Sequence, residues 1–234
     1  MRIAHSDSFA IAFPRANMLH PADTRKSVHA WSLIAKCLSA PQIEQQLLPL
    51  DRLATDEELR LVHTQEYLDR LATSAFVADL VEVPLIGVAP FPLLDKFLLT
   101  PMRAAVRGTM LACEAALETG LAASTSGGFH RAGPETGGGF SVYADAAIAI
   151  ADLRRRGKLG RDDQVGHVDL DGQLGSGMAL CFIKDPRIRL FDMFNEQGYP
   201  RDPIARQRLD MAVPVAPFGG GERYLALLHQ HLPG

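Results

Sequence analysis

Apolar residues recur every three or four positions over several stretches of the first 120 residues, which is the spacing of an amphipathic helix. The clearest stretch puts Val28, Trp31 and Ile34 on one side and predicts a helix packed on the core. Gly120 follows another such stretch and is typical of the residue just after a helix end. The elements predicted for this half are helices over 24–38, 56–63, 66–74 and 101–119, and a proline-rich loop over 81–92.

Short apolar runs alternate with helical stretches in the second half of the chain. The predicted order is a strand over 121–128, a helix over 141–156, a strand over 164–171, a short helix over 178–182, strands over 188–193 and 209–215, and a helix over 222–231. This alternation predicts an α/β fold with a parallel sheet and helices on both faces. Ligands of such sheets bind beyond the carboxyl ends of the strands, so chemistry is expected in the loops that follow them.

Composition narrows the class of protein. With 234 residues, 47% hydrophobic content and a net charge of -3, the chain can bury a full core and form one large α/β domain or two small ones. We expect one domain over 1–234. The balance of charge lacks the basic excess of a protein that binds nucleic acid directly. No apolar run reaches the roughly 20 residues of a membrane span, and the start MRIAHSDSFAIAFP lacks a secretory signal, so we expect a cytoplasmic protein.

One histidine stands between two glycine clusters in the segment GGFHRAGPETGGGF, residues 127–140. Glycines after a strand let the backbone approach a ligand and adopt dihedral angles that other residues avoid. His130 in such a loop could act as an acid or a base near neutral pH. A surface histidine in a flexible loop is the alternative that this segment leaves open.

Two carboxylates alternate at the end of the strand predicted over 164–171. Asp169 and Asp171 therefore point to the same face, and such a pair is costly unless a cation or hydrogen-bond donors compensate it. A hard or borderline cation is one interpretation. The other is that one aspartate caps the next helix while its neighbour is solvated.

Three segments, taken in order, resemble the zinc-dependent histone deacetylase family. They are GGFHRAGPETGGGFSVYADAAIAI, VDLDGQLGSG and FDMFNEQGYP, and they are most similar to the class IV branch and the bacterial proteins like it. The earlier LRLVHTQEYLDRL, and His20-Pro21 with Arg25-Lys26, extend the resemblance over nearly the whole chain. The resemblance implies a three-layer arginase/deacetylase-like fold with a mostly parallel sheet flanked by helices.

The same resemblance implies a site. His130 corresponds to the first of two histidines that transfer protons, Asp171 to a zinc ligand, and Asp169 to a residue behind the site that also helps to hold potassium. Zinc would hold a water and the acyl oxygen of an acylated lysine or a small acylated amine. The residues that correspond to the family's substrate loop are Gly138, Gly139 and Phe140.

Two positions depart from the family pattern. The second histidine is Arg131, which cannot act as a base and would repel a metal ion at close range, and the histidine ligand is Gln173, a weak zinc ligand. The sequence ends at Gly234, before the family's third aspartate ligand and its tyrosine, so we expect the carboxyl-terminal part of the fold to be lacking. These departures predict a deacylase with impaired or lost activity. The alternative is a binding or scaffold module that completes an open sheet edge with another copy or a partner chain.

Overall fold

The computed structural model describes residues 1–11 and 26–232. Its strands are β1 (Arg2–His5), β2 (Leu47–Pro49), β3 (Ala122–Ser124), β4 (Val165–Asp169), β5 (Ile188–Asn195) and β6 (Met211–Val215). Its α-helices are α1 (Lys26–Lys36), α2 (Ala40–Gln46), α3 (Asp56–Leu59), α4 (Gln65–Arg70), α5 (Ser74–Leu80), α6 (Phe91–Leu94), α7 (Thr100–Thr119), α8 (Asp145–Arg155), α9 (Ser176–Cys181), α10 (Pro203–Arg208) and α11 (Gly220–His231). The prediction of an α/β fold with parallel strands flanked by helices is confirmed.

The strands form two three-stranded parallel sheets, in the orders β2-β1-β3 and β4-β5-β6. Within the residues that the structure describes, β3 pairs only with β1 and β4 only with β5, so each keeps one unpaired edge. The expected single sheet is therefore divided between β3 and β4. Their carboxyl ends are joined instead by a side-chain hydrogen bond between His130 and Asp169.

Helix α7 is the central helix of the molecule. It packs on α8 and on strands β1 and β3, and ten of its residues are buried. It ends as predicted at Gly120, whose φ of 80° is left-handed and costs little in a residue without a Cβ. A second apolar cluster lies under β4 and β5 and includes Ile188, Leu190 and Met178.

The predicted loop over 81–92 is wrong in part. Pro84–Val88 forms a 3-10 helix, and α6 begins directly after Pro90. Prolines at the first positions of a helix lose no hydrogen bond and have a suitable φ, so here they begin helices rather than prevent them.

The predicted helix over 141–156 begins later than expected. Residues Gly138 and Ser141 pair in an isolated antiparallel bridge, and the chain becomes helical only at Asp145. The four residues 141–144 are buried in this irregular segment, so their apolar character reflects core packing and not a helix face.

The first helix is correctly placed but packs differently from the prediction. Of residues 26–36 only Ser27 is buried, while Val28 and Leu33 are exposed. Trp31 stacks on His5 with ring centroids 4.5 Å apart, so α1 lies on the surface over the end of β1. His20, Pro21 and Arg25 lie outside the described residues.

Sequence patterns also missed five short elements, namely β1, β2, α2, α5 and α10. The predicted helices over 56–63 and 66–74 are shorter in the structure, as α3 and α4, because each ends within one or two turns. No helix in the described part of the chain is long and apolar enough to cross a membrane.

Candidate functional site

A buried carboxylate holds the backbone of the loop that carries His130. Asp145, the first residue of α8, accepts hydrogen bonds from the backbone N–H of Gly128 (2.8 Å) and Phe129 (2.9 Å) and from Thr109 Oγ1 (2.7 Å). Gly127 has a φ of 102°, and a Cβ there would collide with both Asp145 and Thr109. Gly127 therefore allows close packing of the loop against α7 and α8, and the alternative of a flexible surface loop is wrong.

His130 faces two carboxylates at the end of β4. Its Nδ1 lies 2.8 Å from Asp169 Oδ2, and its Nε2 lies 3.8 Å from Asp171 Oδ1. The side chain is 14% exposed. Burial by itself lowers the pKa of His130, but the hydrogen bond and charge of Asp169 outweigh it, and the pKa is raised above its usual value. The ring of His130 is therefore held in place by Asp169.

The two aspartates singled out from the sequence have different environments. Asp169 is buried, and the hydrogen bond from His130 keeps its pKa below the usual value although burial opposes ionisation. Asp171 follows in an exposed turn, where its N–H donates to Asp169 Oδ1 (3.0 Å) and its Oδ1 accepts from the N–H of Gln173 (2.8 Å). The helix-capping interpretation is wrong, because α9 begins after Gly175 without a side-chain cap.

A third carboxylate stands beside this pair and was not found from the sequence. Asp192 of β5 is the register partner of Asp169, is 1% exposed and accepts from the N–H of Gly175 (2.8 Å). Burial and the charge of Asp169 raise the pKa of Asp192 to about 7. An aspartate within the apolar strand IRLFDMFN was the available signal, because a charge there needs a structural reason.

Arg131 occupies a site that the sequence did not reveal. The side chain is 5% exposed, its Nη1 lies 3.3 Å from Glu82 Oε1, and its guanidinium carbon lies 4.6 Å from the ring centre of Tyr199. Gly138 and Gly139 pack so closely on the guanidinium that a Cβ at Gly139 would collide with it. Arg131 is thus a packed part of the wall, with one long ion pair to Glu82.

Several of these side chains line a cavity of about 810 Å³. Its lining includes His130, Arg131, Gly139, Phe140, Asp171 and Gln173. Of the predicted substrate loop, Gly139 and Phe140 reach the cavity, while Gly138 packs on Arg131. Phe140 has a φ of 66°, which a side chain rarely adopts and which the surrounding loop must hold in place.

Comparison with known proteins identifies the family. A profile of the histone deacetylase domain matches residues 20–233. Histone deacetylase 2 of Arabidopsis thaliana is 34% identical over 231 residues, which are 98% of this chain and 58% of that protein. The chain belongs to the histone deacetylase family. The acetoin utilization protein AcuC of Bacillus subtilis is a more distant relative, 25% identical over 72% of this chain and 43% of its own length.

Solved structures show the histone deacetylase fold independently of sequence identity. The HDA15 HD domain matches with a TM-score of 0.64 at 18% identity, over 86% of this chain and 57% of that one. A histone deacetylase homologue in complex with SAHA matches with the same TM-score at 20% identity, over 92% and 59%. The chain therefore spans between about two fifths and three fifths of the length of these relatives.

Members of the histone deacetylase family are generally zinc-dependent, so the donor atoms were compared with what zinc needs. Zinc in a catalytic site takes three protein ligands, usually histidine nitrogen, cysteine sulfur or carboxylate oxygen. Within residues 1–11 and 26–232, no three such side chains form a group that could hold a metal. Asp171 supplies one carboxylate and Gln173 only a weak amide oxygen, so the described residues by themselves do not make a complete zinc site.

Proposed function

We propose that this chain carries a deacylase site for acylated lysine or a small acylated amine, and that its hydrolysis is weak. The observation that carries the proposal is the contact of His130 Nδ1 with Asp169 (2.8 Å) at the wall of the cavity. A histidine oriented by a carboxylate is the arrangement that general acid and base catalysis requires.

The tautomer of His130 follows from its partners. Asp169 has a lowered pKa and is an acceptor, so His130 donates its Nδ1–H to it. Nε2 is then the nitrogen available to a substrate, and it can take a proton from an attacking water or pass one to the departing amine. The raised pKa of His130 favours the second role, because the protonated ring is the proton donor.

Two features argue for slow turnover. Asp171 and Gln173 supply fewer and weaker metal ligands than zinc requires, and this limits polarisation of the acyl group by a metal. Arg131 stands where the family has a second proton-transferring histidine, and loss of one such group costs roughly 10²- to 10⁴-fold in rate. Slow hydrolysis is the expected result of both.

Mass-spectrometric assays of acyl-lysine peptides, with and without added zinc, test this proposal. We expect slow release of the acyl group, which His130→Asn abolishes and which His229→Asn, at an exposed helical position, leaves unchanged. Circular dichroism confirms that both variants fold. Hydrolysis that survives in His130→Asn would refute the proposed role of His130. Turnover above about 1 s⁻¹, which is the usual range of enzymes, would refute the proposal that hydrolysis is weak.

A non-catalytic role is the second candidate, and the unpaired edges of β3 and β4 favour it. In the described part of the chain each of these strands offers free backbone donors and acceptors on one side. Such an edge can bind a strand from another chain. A scaffold of this kind would release no acyl group and would bind a partner or a second copy.

A further inference from the structure

The guanidinium of Arg131 is buried and has few partners. The side chain of Arg131 is 5% exposed. Its single hydrogen bond within the described residues runs from Nη1 to Glu82 Oε1 at 3.3 Å. Charge-assisted bonds of this kind are normally about 2.7–2.9 Å long, and a guanidinium has five N–H donors.

Other shielded arginines of this chain are better satisfied. Arg107, which is 8% exposed, makes two bonds to Asp51 at 2.8 and 2.7 Å. Arg208 donates to three carbonyl oxygens and to Asp210, with distances between 2.6 and 3.0 Å. Arg131 is more buried than Arg107 and has one long hydrogen bond. Its remaining N–H donors therefore lack the hydrogen-bond partners that buried polar groups normally have.

The unused donors have access to the cavity. Arg131 lines the same cavity as His130, Asp171 and Gln173. Among the described residues, Arg2 Nε and Arg154 Nε are fully buried nitrogens without a partner, but no atom of Arg131 is in that state. The free N–H groups of Arg131 are therefore not fully enclosed, and the residue lines the cavity of the candidate site.

The guanidinium is held in a fixed orientation. The guanidinium carbon lies over the ring of Tyr199, 4.6 Å from its centre, and Gly138 and Gly139 pack closely on the guanidinium. Glu82 cannot use its carboxylate fully for Arg131, because the same Oε1 accepts the backbone N–H of Gly139 at 2.9 Å. A rigid, incompletely paired guanidinium is well suited to bind a second carboxylate through two parallel bonds.

We propose that the cavity selects acyl groups that end in a carboxylate, so that the substrate is the monoamide of a short dicarboxylic acid, bound at its far end by Arg131. This inference rests on the proposed function and names the substrate class of the same site. The amide would lie near His130, and the distal carboxylate would accept hydrogen bonds from the free donors of Arg131. An uncharged acyl group of equal length would leave those donors unpaired.

Two lysine peptides that differ only at the end of the acyl chain test the inference. Nε-succinyl-lysine carries a terminal carboxylate where Nε-butyryl-lysine carries a methyl group, and calorimetry gives the affinity of the whole chain for each. A charge-assisted bond to a buried partner is worth about 10- to 100-fold in affinity, and we expect the succinyl peptide to bind that much more tightly.

Three variants are expected to change the binding of the succinyl peptide in different directions and to different extents. Arg131→Gln should remove the preference, and Arg131→Lys, with a point charge in place of the planar fork, should keep part of it. Glu82→Gln should increase the affinity for the succinyl peptide several-fold, because it removes the competing charge while its amide oxygen can still accept the N–H of Gly139. Thermal unfolding identifies any variant that fails to fold, and Glu82→Gln tests the idea even if both Arg131 variants unfold.

The outcomes separate this inference from the proposed function. Equal affinity for the two peptides, or binding of neither, overturns the selection of a carboxylate, and so does an unchanged preference in a folded Arg131→Gln. Mass spectrometry of the peptides after the titration reports hydrolysis separately. Selective binding without hydrolysis would overturn the catalytic proposal and keep the carboxylate site.

Discussion

Single residues of this protein owe their behaviour to what surrounds them in the fold. Asp145 and Asp169 fix the loop and the ring of His130 through hydrogen bonds of 2.7–2.9 Å. Arg131 follows His130 in the sequence, but its side chain contacts Glu82 and Tyr199. Adjacent residues of one loop thus have separate environments: His130 contacts Asp169, and Arg131 packs in the wall of the cavity.

His63 provides a test of buried charge at this scale. It is 3% exposed, and its Nε2 accepts the backbone N–H of Ala144 at 3.0 Å, which requires a neutral ring. Burial lowers the pKa of His63 to about 4, against 6.5 for the free side chain. As pH falls, the unfolded chain therefore binds a proton first, and the folded state loses about 3 kcal/mol of stability between pH 6.5 and 4.

We expect His63→Gln to flatten this part of the stability curve. The glutamine amide oxygen can still accept the N–H of Ala144, but it does not titrate. Urea unfolding at intervals from pH 7 to pH 4 measures the difference, with His229→Gln as a control at an exposed position. A loss of stability in His63→Gln that runs parallel to the parent protein would show that His63 is not the source.

At the scale of elements, contacts between helices and loops hold the site together. Gly177 of α9 donates its N–H to the carbonyl of His130 at 2.8 Å, and it lies against the backbone of Ala132. A Cβ at Gly177 would overlap three backbone atoms of Ala132, and backbone yields less readily than a side chain. The glycine is thus required by the approach of a helix to the loop that bears His130.

We expect Gly177→Ala to lower the free energy of unfolding by about 1–3 kcal/mol through overpacking and to displace His130. Gly166→Ala on β4 is the matched control, because no atom lies within 4 Å of its Cβ position. Chemical denaturation measures both variants, and a histidine NMR signal of His130 reports its displacement. Equal stability of the two variants would contradict the packing argument.

At the scale of the whole molecule, the division into two sheets leaves strand edges unpaired in the described residues. On β4 the outer face carries Val168, and Leu170 follows it, each 44% exposed. An exposed apolar edge strand invites pairing with another chain unless a charge prevents it. We expect association of this chain at micromolar concentration through β4.

Sedimentation over a range of concentrations tests this expectation. Val168→Lys should shift the protein toward the monomer, because a lysine on an edge strand opposes pairing. Val28→Lys, at a position of α1 that is 37% exposed, is the control and should leave association unchanged. A parent chain that stays monomeric up to high micromolar concentration would refute association through this edge.

Local sequence determined those features that depend on short-range chemistry. The helix that ends at Gly120, the strands β4, β5 and β6 and the last helix follow from apolar period and from the residues that stop each element. The three segments that resemble the histone deacetylase family, in their order along the chain, were enough to predict the family, and the comparisons confirm it. The sequence also predicted that chemistry would lie near His130, Asp169 and Asp171, because the carboxyl ends of parallel strands share one edge.

Only the tertiary structure decided what depends on contacts between distant segments. The role of Arg131 depends on Glu82, 49 positions earlier, and the charge state of Asp192 depends on the register that sets it beside Asp169. The irregular segment 141–144 reads as helical from its composition, and a bridge between Gly138 and Ser141 overrides that tendency. A sequence specifies local preference, whereas burial, pairing and pKa are properties of an environment that many separate segments build together.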